Sequence, residues 1–393
     1  MNVFAILEES IHNFRFDPGC KECNVRNNWI ALEKTKTLKM KIAIVFHKNP
    51  FAPLASIDLI RLRAISGGLI GRGIEVEIVA PVEEIGFIDG VVPVRPLSFL
   101  KSDRYDLVKT CYHFSIDLIN GYEGPVVSRI VRVVDDLLPE RDESIRRYLL
   151  RYQSLIKERA SCIIVNNIEN KERWQAFYGT DTSVVCVPTG CPSVIPLPQK
   201  NPFDPHEKVV LFLGSIAAPR MITIINEIAR RLEGIARVHF IGLNKSHLYG
   251  KNKENILSPL VIQHGTMSEE MIWNYIFHAR IGLAIATDPH PFDNDMSKIF
   301  SYLRGGLPVL SEEPIINNAL IRETGFGLTF QYDNMEDLTE KALFLLQNPP
   351  LEKREAVMAF MAREHSWERR VETYAKLFRA LIMRPTTKSG AVA

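Results

Sequence analysis

The sequence predicts an α/β protein built as two doubly wound, Rossmann-like domains facing across a cleft, and three observations carry that prediction. From Lys41 onward, short apolar runs of strand length alternate with amphipathic helical segments, the pattern of parallel sheets covered on both faces. A proline-rich stretch with Pro188, Pro192, Pro196, Pro198, Pro202 and Pro205 interrupts the alternation once, and the alternation resumes beyond it. A chain of 393 residues, 46% of them hydrophobic, is long enough to bury a core in each of two domains.

The elements follow in order. Residues 1–39 show no repeat or periodicity and read as an N-terminal extension, poorly ordered or appended, and Met40 directly precedes the first strong strand, KIAIVF at 41–46. A helix from about Ile57 is expected to end among Gly67, Gly68, Gly71 and Gly73. VEIVA (76–80), DLVKTCY (106–112), PVVSRIVRVV (125–134), CIIVNN (162–167) and SVVCVP (183–188) supply the further strands of an N-terminal domain over 40–195. A linker over 196–206 leads to a second domain over 207–365, with VVLFLG (209–214), a helix near 222–232, VHFIG (238–242), a helix near 269–279 and IGLAIA (281–286). HSWERRVETYAKLF places Trp367, Val371, Tyr374 and Phe378 on one stripe of a terminal helix within 366–385, followed by a tail over 386–393. Open parallel sheets bind ligands at the carboxyl ends of their strands, so the cleft between the domains is the expected site.

Within the second domain, DNDMSKIFSYLRGGLPVL (293–310) places a cation where an isolated helix disfavours one. Asp295 is the expected N-cap, the helix runs from Met296 to Arg304, and Gly305, Gly306 and Pro308 stop it. Lys298 then lies in the first turn, where the helix already carries partial positive charge, and a bound phosphate would neutralise both. Ile299, Phe300 and Leu303 form the apolar stripe, which leaves Lys298, Ser301 and Tyr302 on a side that can meet a ligand. The alternative is a solvated lysine on a helix that begins earlier.

The run from Met296 to Leu310, with the strand before it, resembles the nucleotide-sugar site of GT-B glycosyltransferases of the group 1 type, and Gly305, Gly306, Leu307, Pro308 and Val309 match that family's turn. The resemblance covers about 40–383 and is strongest in the second half. It implies a sugar transferase using a UDP- or GDP-linked donor and a glycan or lipid-linked acceptor, without a cofactor or metal. It also implies donor contacts from Met296, Ser297, Lys298, Ser301 and Tyr302, and from the strand-end loop at Gly214, Ser215 and Arg220. His264 and Gly265, at a strand-to-helix junction, would approach the base; His239, inside a strand pattern, reads as structural. Two glutamates of the retaining branch fall on Asp293 and Ser301, so the chain departs from that pattern. Asp135 and Asp136 follow a strand at its carboxyl end, facing the cleft, and are the candidate general bases; a loop acid or helix cap is the other reading.

Composition narrows the remaining classes. A net charge of +2 gives no global field for nucleic acid. Cys20, Cys23, Cys111, Cys162, Cys186 and Cys191 read as reduced thiols of a cytoplasmic protein, and the CxxC at Cys20 and Cys23 lacks the second half of a zinc site, although His12 is near in sequence. No apolar run is long enough to span a bilayer. The basic amphipathic segment over 140–159 reads either as a charged outer face above a core stripe or as a peripheral contact with the inner face of a membrane. A nicotinamide-dependent dehydrogenase is disfavoured because no GxGxxG follows either first strand. A catalytically inactive nucleotide-sugar-binding scaffold is the alternative to the transferase.

Overall fold

The computed structural model describes residues 39–51, 57–134, 143–216, 218–245, 256–289 and 295–383. The first lobe is an eight-stranded sheet made of β1 (Lys41–Val45), β2 (Glu75–Ala80), β3 (Gly86–Ile88), β4 (Val92–Pro96), β5 (Leu107–Thr110), β6 (Val126–Arg129), β7 (Cys162–Val165) and β8 (Ser183–Cys186). Their spatial order is β3-β4-β2-β1-β5-β6-β7-β8, parallel except for the β3–β4 pair at one edge. Helices α1 (Ile57–Ile70), α2 (Glu143–Arg159) and α3 (Ile168–Tyr178) belong to this half of the chain.

The second lobe repeats the design with six parallel strands: β9 (Val209–Leu213), β10 (Arg237–Ile241), β11 (Val261–Gln263), β12 (Ile281–Ala284), β13 (Val309–Glu312) and β14 (Gly327–Phe330), in the order β11-β10-β9-β12-β13-β14. Helices α4 (Pro219–Arg231), α5 (Glu269–His278), α6 (Ser297–Arg304), α7 (Asn318–Thr324), α8 (Met335–Gln347) and α9 (Arg354–Glu364) surround it. The middle strands β1, β9 and β12 are buried almost throughout, which explains why they read as continuous apolar runs and not as alternating ones. In each sheet the order reverses beside the first strand, at β1/β5 and β9/β12, so each carboxyl edge has a crevice there.

The last helix, α10 (Trp367–Ile382), returns to the first lobe, and Trp367, Val371, Tyr374 and Phe378 pack with Leu62, Ile65 and Leu69 of α1. Helix α1 ends within the expected glycine cluster: it runs through Gly67 and Gly68 and stops at Ile70, before Gly71. A Cβ on Gly68 would stand 2.6 Å from Val371 Cγ2, so this glycine permits a close helix–helix approach. The chain passes between lobes twice, and the two passages hydrogen-bond: Cys191 N–H donates to His365 O and Trp367 N–H to Cys191 O, both at 2.9 Å.

Two further differences from expectation have local causes. β6 stops at Arg129, and the residues beyond it are held by side-chain amides: Asn170 Oδ1 accepts from Val133 N–H at 2.8 Å, while Gln153 bonds both Val134 N–H (2.7 Å) and Val134 O (2.8 Å). The β3–β4 hairpin turns on Asp89 and Gly90, with φ of 51° and 68°. An Asp-Gly pair between apolar runs is the sequence signature of that turn and marks an edge the periodicity alone does not show.

Candidate functional site

Helix α6 opens with the cation in its first turn but without the expected cap. Met296 is the N-cap and no side chain caps the helix. Asp295 turns instead to bridge the lobes, accepting from Asn166 Nδ2 at 2.6 Å and from Asn317 Nδ2 at 3.0 Å. Asn317 Oδ1 in turn takes the Met296 N–H at 2.5 Å. A carboxylate with two amide donors available is drawn to them in preference to the helix end, because charge-assisted bonds are the stronger ones.

Lys298 is half-buried, its Nζ 3.8 Å from the centroid of the Phe212 ring, and its amine has no ion-pair or hydrogen-bond partner among the described residues. Burial pulls its pKa down to about 7. Gly214 bounds the same spot: it is exposed, has φ +102°, and a Cβ there would lie 3.6 Å from Lys298 Cε and 3.8 Å from Nζ. That left-handed backbone favours glycine. Ser215 and Ser297 are half-buried, at the strand-end loop and the first position of α6 respectively. The loop after β9 and the first turn of α6 therefore meet at the β9/β12 switch point, an arrangement of backbone amides, helix dipole and amine suited to a diphosphate.

Other sequence candidates fall elsewhere. Tyr302, expected on the ligand side, is fully buried; its hydroxyl accepts from Leu213 N–H at 2.8 Å and bonds Leu211 O (3.0 Å) and Leu283 O (3.2 Å), so it ties α6 to the centre of the sheet. Ser301 is half-buried one position before it. Arg220, expected to face phosphate, is bound bidentately to Glu312 at 2.7 and 3.0 Å, donates to Ala286 O at 2.6 Å and lies 4.2 Å from the Tyr332 ring centroid. Its charge is paired within the protein. Glu312, completely buried at the end of β13, went unnoticed in the sequence because VLSE reads as an ordinary strand end.

His264 Nε2 lies 2.9 Å from His239 Nδ1, and Glu207 Oε2 lies 3.3 Å from His239 Nε2. Burial lowers both imidazole pKa values, with Glu207 opposing it. Gly265, with φ +70°, is exposed and accepts the Gly242 N–H at 2.8 Å, which leaves its outer face open. Asp135, Asp136 and Asp293 lie outside the described residues, as do Cys20, Cys23 and His12. The four described cysteines, Cys111, Cys162, Cys186 and Cys191, are free thiols. Among the described residues no cluster of histidine, cysteine and carboxylate is placed to hold a metal, and no helix is long and apolar enough to cross a membrane.

Opposite, the carboxyl edge of the first sheet carries an aromatic group that sequence reading did not single out. His47 after β1 meets Tyr112 and Phe114 with ring centroids 5.6 and 4.3 Å apart, and His113 meets Tyr152 of α2 at 5.7 Å. Burial, aided by Lys48, pushes the His47 pKa down to about 4, and burial with His47 does the same to His113. Both imidazoles are neutral at pH 7. On α2, Arg147, Tyr148 and Arg151 are exposed while Tyr152 and Ile156 are buried, a charged outer face above a core stripe.

Solved structures share this architecture. Sucrose-phosphate synthase from Thermosynechococcus elongatus superposes with a TM-score of 0.67 at 14% identity, over 87% of this chain and 99% of that one. WaaG, a glycosyltransferase involved in lipopolysaccharide biosynthesis, gives 0.62 at 15% identity over 86% and 99%. Anabaena HepE in complex with UDP-glucose gives 0.67 at 12% identity over 87% and 100%. The chain has the GT-B fold of these glycosyltransferases. Neither a protein-family model nor a curated protein sequence matches it.

Proposed function

We propose that the protein transfers a sugar from a nucleoside-diphosphate donor to a hydroxyl acceptor, in the synthesis of a glycan, polysaccharide or glycolipid. The observation that carries this reading is the unpartnered Lys298 amine in the first turn of α6, beside the exposed backbone of Gly214. HepE, of the same fold, is crystallised with UDP and with UDP-glucose, which supports a nucleotide sugar as the ligand. Lys298 and the α6 dipole stabilise the departing diphosphate, the role a metal plays in other transferases. Met296, Ser297, Ser301, Gly214 and Ser215 frame the donor; His264 and Gly265 border the base. The acceptor proton passes to Asp135 or Asp136 of the first lobe. The exposed basic face of α2 is suited to an anionic membrane bearing a lipid-linked acceptor.

Lys298→Ala removes one charge-assisted bond to phosphate, so UDP or GDP should bind about 1.5 to 3 kcal/mol more weakly, roughly tenfold to more than a hundredfold. Alanine is a strong helix former, so α6 persists. A folded variant with parental nucleotide affinity would reject the assignment. Protonation supplies a second readout. The free amine titrates near pH 7 and a bound diphosphate raises that value, so binding at pH 8 should take up a proton, seen calorimetrically in buffers of different ionisation enthalpy and lost in Lys298→Ala. In the nucleotide-free chain the linkage has the opposite consequence: between about pH 7 and the unfolded value of 10.5 only the unfolded state holds this proton, so this group makes stability rise with pH across that window.

A further inference from the structure

A buried cationic cluster at the carboxyl edge of the first sheet is not used by the donor chemistry. Strand alternation sets Lys109 of β5 and Arg129 of β6 on the same face as Leu107 and Val127, the face covered by α1 and α10. Each is only 3% exposed. Lys109 Nζ reaches Thr110 O at 3.3 Å and Cys111 Sγ at 3.8 Å. Arg129 has no hydrogen-bond or ion-pair partner among the described residues, and its Nη1 is fully enclosed. From α1, Arg61 reaches Asp58 at 3.2 Å and Thr189 at 3.3 Å. Burial and the nearby Arg129 charge together draw the Arg61 pKa down to about 10.

Among the described residues, Asp295 is a carboxylate whose charge both arginines feel. It comes from the opposite lobe, three residues before Lys298, and is held by Asn166 and Asn317 without an ion pair to either arginine. Among the described residues, then, three cations face two carboxylates. An arginine cannot relieve its burial by losing a proton, so the surplus charge calls for an anion from outside, and a guanidinium fork matches the two oxygens of a phosphate or carboxylate. The cavity beside α1, lined by Asp58, Arg61, Lys109 and Cys111, has room for about one water, too little for a phosphate, so space for an anion has to come from the Asp295 side of the arginines.

We infer that the acceptor carries an oxyanionic group, a phosphate or a carboxylate, which Arg129 and Arg61 bind in the first lobe as Asp295 withdraws. The inference rests on the glycosyl-transfer reading and fixes the chemical class of its acceptor. The test is calorimetric titration of the full chain, saturated with UDP or GDP, using glucose, glucose 6-phosphate, glucuronate and inorganic phosphate. At least one charged sugar should bind tenfold or more tightly than glucose. Arg129→Met should abolish that preference, a loss of roughly tenfold to a hundredfold, while nucleotide affinity stays at the parental value. Methionine replaces an unpaired buried charge with an apolar chain of similar reach, so the variant should fold. Arg129→Lys, which keeps the charge and loses the fork, should fall between the two. Charged sugars no better than glucose, or a preference that survives Arg129→Met, would overturn the subsite. Binding of inorganic phosphate alone would show a free-ion site and overturn the acceptor claim. Failure of the parent chain to bind either nucleotide would strike the donor reading, and the same anion titrations repeated without nucleotide would then decide the anion subsite separately.

Discussion

Arg220→Met should lower the unfolding free energy by about 3 to 5 kcal/mol, the usual effect of leaving one member of a buried ion pair alone. Glu312 is completely buried, and beyond Arg220 its carboxylate has, among the described residues, the Ala286 N–H at 2.8 Å and the Asp333 N–H at 2.9 Å. Those bonds gather the ends of β12 and β13, the residues after β14 and the start of α4 around one carboxylate at the carboxyl edge of the second sheet. Loss of the guanidinium therefore loosens several walls of the proposed donor site together. Urea denaturation followed by circular dichroism measures the effect. Arg220→Met/Glu312→Gln should recover part of the loss, since glutamine can still accept one backbone bond without bringing a charge. A single variant as stable as the parent would show that the pair contributes nothing net. A fall in nucleotide affinity larger than that of Lys298→Ala, in a chain that remains folded, would return Arg220 to direct contact with phosphate.

The pair also shows what a sequence conveys and what it withholds. The alternation of apolar runs and amphipathic helices is a local signal, and both sheets follow it. Lys298 was legible for the same reason: its misfit with the helix dipole is a property of neighbours in sequence. Tyr302 was misread because spacing of three and four residues identifies a shared face but not which faces are buried, and in a short helix against a sheet the buried arc is wide enough to include it. Asp295 looked like a cap because nothing near it in sequence reveals Asn166, 129 positions away. Arg129, likewise, reads as a strand residue of unremarkable type; only the register with β5 and the return of α10 show that it is enclosed. Partners distant along the chain decide the fate of a charge, and those are fixed by the fold.

The largest effect on rate should come from the group that takes the acceptor proton. Asp135→Asn is expected to slow transfer roughly a hundredfold to ten-thousandfold while leaving nucleotide binding intact, because asparagine keeps the size of the side chain and loses its basicity. Asp136→Asn should be much milder, because one acceptor oxygen accommodates one base. Both residues directly follow Val134, whose backbone is fixed on both sides by Gln153, so the chain is anchored where it reaches them. His47→Gln provides the control. Its imidazole is neutral at pH 7, but with a pKa near 4 it holds a proton poorly, so it is a weak base and its loss should cost less than that of the carboxylate. Transfer measured with a confirmed donor and acceptor, in parallel with nucleotide titration, separates the three. If both aspartate variants run at the parental rate and His47→Gln does not, the proton goes to the imidazole at the end of β1, and the aromatic group around it becomes the acceptor platform.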